Sequence, residues 1–351
     1  MTTNVLFSTH KNGVATITLN RPKAINSLTL DMLQPIQDKL NEWKTDEHVQ
    51  LIIIQGEGEK GFCAGGDMKT IYESQSSETL LQDAEQFFQV EYEVDQFIYD
   101  YPKPIIACLD GIVMGGGVGL TYGASHRIVT ERTKWAMPEM NIAFFPDVGA
   151  AYFLNKAPGR IGRYLALTAS VIEASDVLYI HGADFFMTNR QLNAFLEEVI
   201  ATNWQRNDTE TTLMQLIDRY AEEPTKQPTL VSKQADIDHH FSHSTMEEIV
   251  QSLQSDSSEF AIQTKEALLS KSPVSLKVTL KQLIDGEKKS REACFRTDFI
   301  LAQNFMRHKD FFEGVRSVLI DKDRNPQYTY RQLSDVSTEM VNNFFMSPFK
   351  K

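Results

Sequence analysis

Two glycine-rich runs hold the first chemical signal in the chain. Met114-Gly115-Gly116-Gly117-Val118-Gly119-Leu120 follows the strand-like Pro104 to Cys108 stretch, and its glycines stand where a helix would open. Bare glycines let a ligand approach the main chain, and N–H groups at a helix start attract negative charge. Phe62-Cys63-Ala64-Gly65-Gly66-Asp67, also after an apolar run, lies about fifty residues upstream. Amide clusters from both runs could meet on one oxygen and stabilise charge as it develops there, which is carbonyl chemistry. Acids supply the other half. Glu139 and Asp147 each follow a proline within an apolar and aromatic stretch, and Glu91 interrupts the apolar stripe Leu80, Ala84, Phe87, Val94, Ile98. A carboxyl group in such a setting is a candidate general base or nucleophile.

Plainer readings compete with these. Gly111, Gly115, Gly119 and Gly123 recur every four residues, as in a membrane helix with a small-residue face. Asp110 and the strand-like opening speak against a span. No G-x-G-x-x-G register and no G-K-[ST] phosphate loop fits the glycines. Glu91 could be a core acid satisfied by backbone or arginine, since structural networks also perturb acids. Asp147, ahead of Val148-Gly149-Ala150-Ala151-Tyr152, fits a helix cap, whereas Glu139 precedes no clear helical pattern. Cys63 has no histidine near it in sequence and reads as a small residue before a glycine turn. The eight histidines show no ligand spacing; His239, His240 and His243 read as solvated, and no metal site is expected.

The elements that must position these residues form an α/β pattern. Asn4 to Thr9 and Val14 to Leu19 read as strands about an Asn12-Gly13 turn. A helical period runs from Leu30 to Trp43, an apolar strand covers Leu51 to Ile54, a helix spans residues 79 to 100, and a strand covers Ile105 to Cys108. Alternating strands and helices imply right-handed crossovers and a parallel sheet. Residues 203 to 258 are polar with few strand-like runs, and helical patterns return at Phe260 to Leu269, Ser275 to Ile284 and Arg291 to Met306. The boundary is therefore drawn at residue 200, with 1–200 as catalytic core and 201–351 as a helical region packed on it.

The chain has 351 residues, 42% of them hydrophobic and 10% aromatic, enough for a proper core. A net charge of −12 argues against nucleic acid as a partner, because phosphate neutralisation needs clustered Lys and Arg. Three cysteines without pairing or metal spacing suit a reducing compartment, and the first residues carry neither a signal-peptide nor a transit pattern. A cytoplasmic protein with no membrane partner is the expectation; a homo-oligomer stays open.

With these residues in place, the chain resembles the crotonase (enoyl-CoA hydratase/isomerase) superfamily, and within it the 3-hydroxyisobutyryl-CoA hydrolase subgroup. The resemblance rests on NRPKAINSL (Asn20 to Leu28), FCAGGD (Phe62 to Asp67), MGGGVGL (Met114 to Leu120), MPEMNIAFFPDVGAAYFL (Met137 to Leu154) and DFFEGVRSVLIDKDRNP (Asp310 to Pro326). It implies a crotonase-like spiral of ββα units with a helical C-terminal region. It implies an oxyanion hole from the Gly66 and Gly116 N–H groups, and Glu139 and Asp147 as catalytic acids. Glu91 would join Gly116, Glu139 and Asp147 in holding the substrate. Coenzyme A, part of the substrate and not a cofactor, would draw on Lys23, Ala24, Ala64, Gly65, Gly66, Asp67 and Met68.

Hydratases of this superfamily would carry a second glutamate at 119, where this chain has Gly119. That favours hydrolysis of a short 3-hydroxyacyl-CoA, in first place 3-hydroxyisobutyryl-CoA of valine breakdown. The alternatives are a hydratase or isomerase working with Glu139 alone, and a non-catalytic CoA-ester binder. Ala143 stands where the hydrolases commonly have Gly, and Ala150-Ala151 where they often have two glycines, which leaves the acyl preference open.

Overall fold

The computed structural model describes residues 3–206 and 208–349. Its strands are β1 (Val5–Thr9), β2 (Val14–Leu19), β3 (Leu51–Gly56), β4 (Gly61–Cys63), β5 (Ile105–Leu109), β6 (Ile112–Met114), β7 (His126–Val129), β8 (Lys134–Ala136), β9 (Ile172–Glu173) and β10 (Phe185–Phe186). One six-stranded sheet has the order β1-β2-β3-β5-β7-β10, and a four-stranded sheet the order β4-β6-β8-β9. The Asn12-Gly13 turn makes β1 and β2 an antiparallel hairpin, with Val5 opposite Leu19. From β2 onward the large sheet is parallel, Ile17 facing Ile54 and Ile53 facing Ile106. Every residue of β2 and β5 is buried, as continuous apolar runs in a parallel sheet require.

The chain folds as two compact units made of interleaved segments. The first takes residues up to Gly66, Val90–Trp135 and Ile172–Pro228; the second takes Asp67–Gln89, Ala136–Val171 and the chain from Thr229 on. Both sheets belong to the first unit, apart from Ala136 at the end of β8. Its core packs β-strand residues Val14, Leu51, Ile53, Ile106 and Ile128 against Leu192, Phe195 and Val199 of the helix Asn189–Ala201 and Leu213, Leu216 and Ile217 of the helix Thr209–Tyr220. The hairpin turn is fastened to the first of these helices. Asn12 Nδ2 donates to the carbonyls of Ile200 (2.6 Å) and Thr202 (2.7 Å), satisfying acceptors that a helix end leaves open.

The second unit is helical because its polar stretches carry starts and narrow apolar faces. Thr245 and Glu248 form a capping box for Met246–Gln254, whose buried residues Met246, Ile249 and Leu253 follow a three-and-four spacing. Ser258, Ser272 and Ser290 cap the helices Glu259–Leu269, Pro273–Gly286 and Arg291–Phe305, close to the periodic segments expected from sequence. The centre of this unit is aromatic. Phe144 stacks on Phe88 at 5.6 Å and meets Phe145, Phe305 and Phe311 at 4.5, 5.4 and 5.2 Å between ring centroids.

Two local readings differ from expectation. Leu80, placed in the buried stripe, is 37% exposed in the first turn of the helix Glu78–Tyr99. His240 is not solvated: it is buried, with Nδ1 2.8 Å from Ser252 Oγ and Nε2 3.1 Å from Asp256 Oδ2. Its position three residues after Ile237 puts it on the inward face of the helix Thr229–His240, and its two polar partners make burial tolerable.

Candidate active site

In the first unit, β4 and β6 run parallel, with Gly61 opposite Ile112 and Cys63 opposite Val113. Their chains therefore leave the sheet side by side, and the two glycine runs meet. A Cβ on Gly65 would lie 3.1 Å from Met114 O and 3.4 Å from Gly116 N. Gly65 and Gly115 have φ of +96° and +51°, conformations open to glycine at little cost. Gly116 is the first residue of the helix Gly116–Tyr122, so its N–H has no carbonyl one turn back within the helix. Gly117 is needed for close approach: a Cβ there would lie 2.8 Å from Cys63 O. Cys63 is no nucleophile, since burial pushes its thiol up to about 12 and its Sγ lies against Asn26 O at 3.2 Å.

Glu91 is 2% exposed, as its place in the apolar stripe implies. Its carboxylate lies against Gly116, where an added Cβ would come within 2.1 Å of Oε1. Asp95, one turn further along the same helix, is also buried, and the charges of both acids bear on Cys63. The apolar-stripe reading missed Asp95, although it stands at i+4 from Glu91 and so shares its face.

The segment in which the resemblance places coenzyme A contacts is organised by Asn26, which sequence reading also passed over. Asn26 is buried, and its Nδ2 donates to the carbonyls of Glu57 (3.0 Å), Phe62 (3.0 Å) and Gly61 (3.3 Å), while Oδ1 accepts from Arg21 N at 2.8 Å. Ala64 N–H reaches Ile25 O at 2.9 Å and Leu28 N–H reaches Gly65 O at 2.8 Å. Residues 21–28 thus run beside Ala64, Gly65 and Gly66. Lys23 and Ala24 sit in the turn Pro22–Ala24 with the Lys23 side chain exposed. Asp67 and Met68 open the next helix, Met68–Tyr72.

The second unit holds Glu139 and Asp147. Glu139 opens a short 3-10 turn, Glu139–Ile142, that ends on left-handed Ala143 (φ 53°). It is 6% exposed, and its Oε2 meets no hydrogen-bond partner among the described residues. Burial first, and then the charge of Asp147, hold the Glu139 carboxyl well above the usual carboxylate range. A base raised in this way takes protons more readily at neutral pH.

Asp147 is buried two residues before Gly149, from which the helix Ala150–Phe153 starts, and its main-chain carbonyl accepts from Ala150 N at 2.8 Å. The side chain that reaches this turn is Asp298, from the helix Arg291–Phe305, whose Oδ2 accepts from Gly149 N at 2.8 Å. Gln282, from the helix Pro273–Gly286, donates through Nε2 to Asp298 Oδ1 (2.8 Å) and to Pro146 O (2.9 Å). Burial and the charge of Asp147 outweigh these bonds and push Asp298 up to about 8. Neither Asp298 nor Gln282 was legible, because each is a single polar residue in an otherwise helical pattern far along the chain.

A pair of parallel strands that delivers two glycine runs to one place, with buried acids in a second, helical unit, fits the enoyl-CoA hydratase/isomerase family. The chain belongs to that family: the profile described as "Enoyl-CoA hydratase/isomerase" matches residues 14–345. Among curated relatives, a Danio rerio protein named "3-hydroxyisobutyryl-CoA hydrolase, mitochondrial" is 40% identical over 341 residues, covering 96% of this chain and 87% of the relative. A Gallus gallus protein of the same name is 41% identical, covering 95% and 87%.

Among solved structures, a carnitinyl-CoA dehydratase from Mycobacterium thermoresistibile matches with a TM-score of 0.91 at 33% identity, covering 98% of this chain and 97% of its own. An enoyl-CoA hydratase from Rhodobacter sphaeroides 2.4.1 matches with a TM-score of 0.88 at 31% identity, covering 98% of each. The crotonase fold expected from the motifs is the fold observed. The cytoplasmic expectation is corrected: the curated relatives are named as mitochondrial, and sparse cysteines and a plain N-terminus do not decide between reducing compartments. No helix among the described residues is long and apolar enough to cross a membrane.

Proposed function

We propose that this chain hydrolyses the thioester of a short 3-hydroxyacyl-CoA, with 3-hydroxyisobutyryl-CoA of valine breakdown as the substrate to which its curated relatives point. The observation that carries the reading is Glu139: a buried carboxyl group, raised by its surroundings and by Asp147, in a chain that has Gly119 where a hydratase would place its second glutamate.

In this reading the Gly66 and Gly116 N–H groups take the thioester oxygen as it gains negative charge. One such donor contributes about 2.7–4 kcal/mol to the transition state. Glu139 either attacks the carbonyl carbon or removes a proton from the water that does. In the first route the C–S bond breaks to release the coenzyme A thiolate, which takes up a proton, and water then opens the Glu139 anhydride to free acid and carboxylate. In the second, water adds directly and the same bond breaks. Asp147 and Glu91 orient the 3-hydroxyl group and the water. Single turnover in 18O-water separates the routes, because only the anhydride route can leave label in the Glu139 carboxylate.

Glu139→Gln is the decisive variant. Loss of a positioned base costs about 10²–10⁴-fold in rate, read as free thiol released from 3-hydroxyisobutyryl-CoA. Turnover near that of the parent would remove Glu139 from the centre of the reaction.

A second reading, hydration or isomerisation of an enoyl-CoA with Glu139 alone, draws on the names of the two solved structures. A shared fold does not fix the reaction. Loss of enoyl absorbance without thiol release would favour it.

A further inference from the structure

The turn Pro146-Asp147-Val148-Gly149 has an unfavourable backbone. Val148 and Gly149 are both left-handed, with φ of +51° and +81°. For a β-branched residue such as Val148 this conformation is costly, and it persists only where the surroundings over-determine it. Two side chains supply that determination. Gln282 Nε2 holds the carbonyl immediately before Asp147, that of Pro146, at 2.9 Å. Asp298 Oδ2 holds the N–H two residues after Asp147, that of Gly149, at 2.8 Å. Gln282 also donates to the second Asp298 oxygen at 2.8 Å, so the two holding groups are joined to each other.

We propose that Asp298 and Gln282 are positioning residues for Asp147: they clasp the turn on either side of it and so fix where its carboxylate is presented to the substrate hydroxyl. The inference rests on the role given to Asp147 above. Both side chains are fully buried, and hydrogen bonds in a dry interior hold geometry more firmly than solvated ones. An acid is suited to this place for a specific reason. Gly149 N–H and the Gln282 amide are both donors, one to each oxygen; an ionised carboxylate accepts both, whereas an asparagine could accept only one of them. An acid here also has a cost, because it buries a second carboxyl group near Asp147. A purely structural clasp would not need to accept that cost beside another carboxylate. The remaining ionisable groups whose charge bears on Asp298 or responds to it are Lys289 and Cys294.

The test compares thioester hydrolysis of a 3-hydroxyacyl-CoA with that of the same acyl-CoA lacking the hydroxyl group. Asp147→Ala, Asp298→Ala, Asp298→Asn, Gln282→Met and the Asp147→Ala/Asp298→Ala double variant are made in the full chain. Asp298→Ala is expected to lower kcat/KM for the hydroxylated substrate about 100-fold, the scale of a misplacement near 1 Å, and the hydroxyl-free substrate far less. Asp298→Asn should recover part of the loss, and the double variant should be little worse than Asp147→Ala.

Asp298→Asn and Gln282→Met keep side-chain volume, so one of them carries the test should the alanine variant unfold. Unchanged discrimination between the substrates in folded Asp298 and Gln282 variants, with Asp147→Ala losing it, overturns the positioning role alone. Unchanged discrimination in Asp147→Ala itself overturns the role of Asp147, and the positioning role with it.

Discussion

Glu139 and Asp298 are carboxyl groups whose hold on a proton is strengthened by the fold, and for stability that shift has a sign. Asp298 has a value near 8 in the fold against 3.8 as a free side chain. Between those limits the native state holds a proton that the unfolded chain has released, so its contribution to stability is complete below 3.8 and is lost as pH rises through about 8. Asp298→Asn is therefore expected to flatten the fall of Tm across that window, as read by thermal melts over a pH series. An unaltered slope would show that Asp298 ionises freely in the fold. Ala143 offers a test on the backbone. With φ at 53° it sits where an L-residue is disfavoured, which accounts for the glycine that the resemblance leads one to expect there. Ala143→Gly should raise stability by about 0.5–1 kcal/mol, the left-handed penalty less the added freedom of the unfolded chain. Glu139 and Glu91 could be singled out from sequence because each breaks a local apolar pattern. Asp298 and Gln282 could not, since only the folded turn shows what their bonds hold.

At the scale of elements, the glycine site depends on a loop that contributes no carboxyl group. Asn26 binds carbonyls of the chain on both sides of Gly61 and keeps residues 21–28 beside Ala64 and Gly65. Asn26→Ala leaves those buried acceptors without a donor and is expected to cost about 2–3 kcal/mol. The same change should raise KM for the acyl-CoA through loss of the Lys23–Ala24 placement; an unchanged KM would detach that loop from coenzyme A binding. The hairpin, the parallel strands and the C-terminal helices were legible because each has a strong period or turn residue. What periodicity could not give was pairing. That β4 lies beside β6, and so brings two runs of glycine together, is a property of the sheet and not of either segment. Asp147 illustrates the same limit, since nothing in its local sequence shows that its turn is left-handed at Val148 and Gly149 and held by side chains from two other helices.

For the molecule as a whole, charge is the first consideration. A net charge of −12 repels an anionic acyl-CoA over roughly a Debye length, about 10 Å at 0.1 M salt. Added salt is therefore expected to raise kcat/KM from its value at low ionic strength, as measured by initial rates in a KCl series. A monotonic fall would mean that the local basic residues, Lys23 among them, outweigh the rest of the chain. The interleaving of the two units matters during synthesis. The first is complete only once residue 228 has been made, and the second needs segments from Asp67 through to the C-terminal helix Thr338–Phe344. A ribosome adding about 5–20 residues per second thus finishes neither unit early, and the nascent chain must hold apolar strands unsatisfied while later helices emerge. Such a protein calls for chaperone shelter and gives a protease its best opportunity before the later helices have emerged.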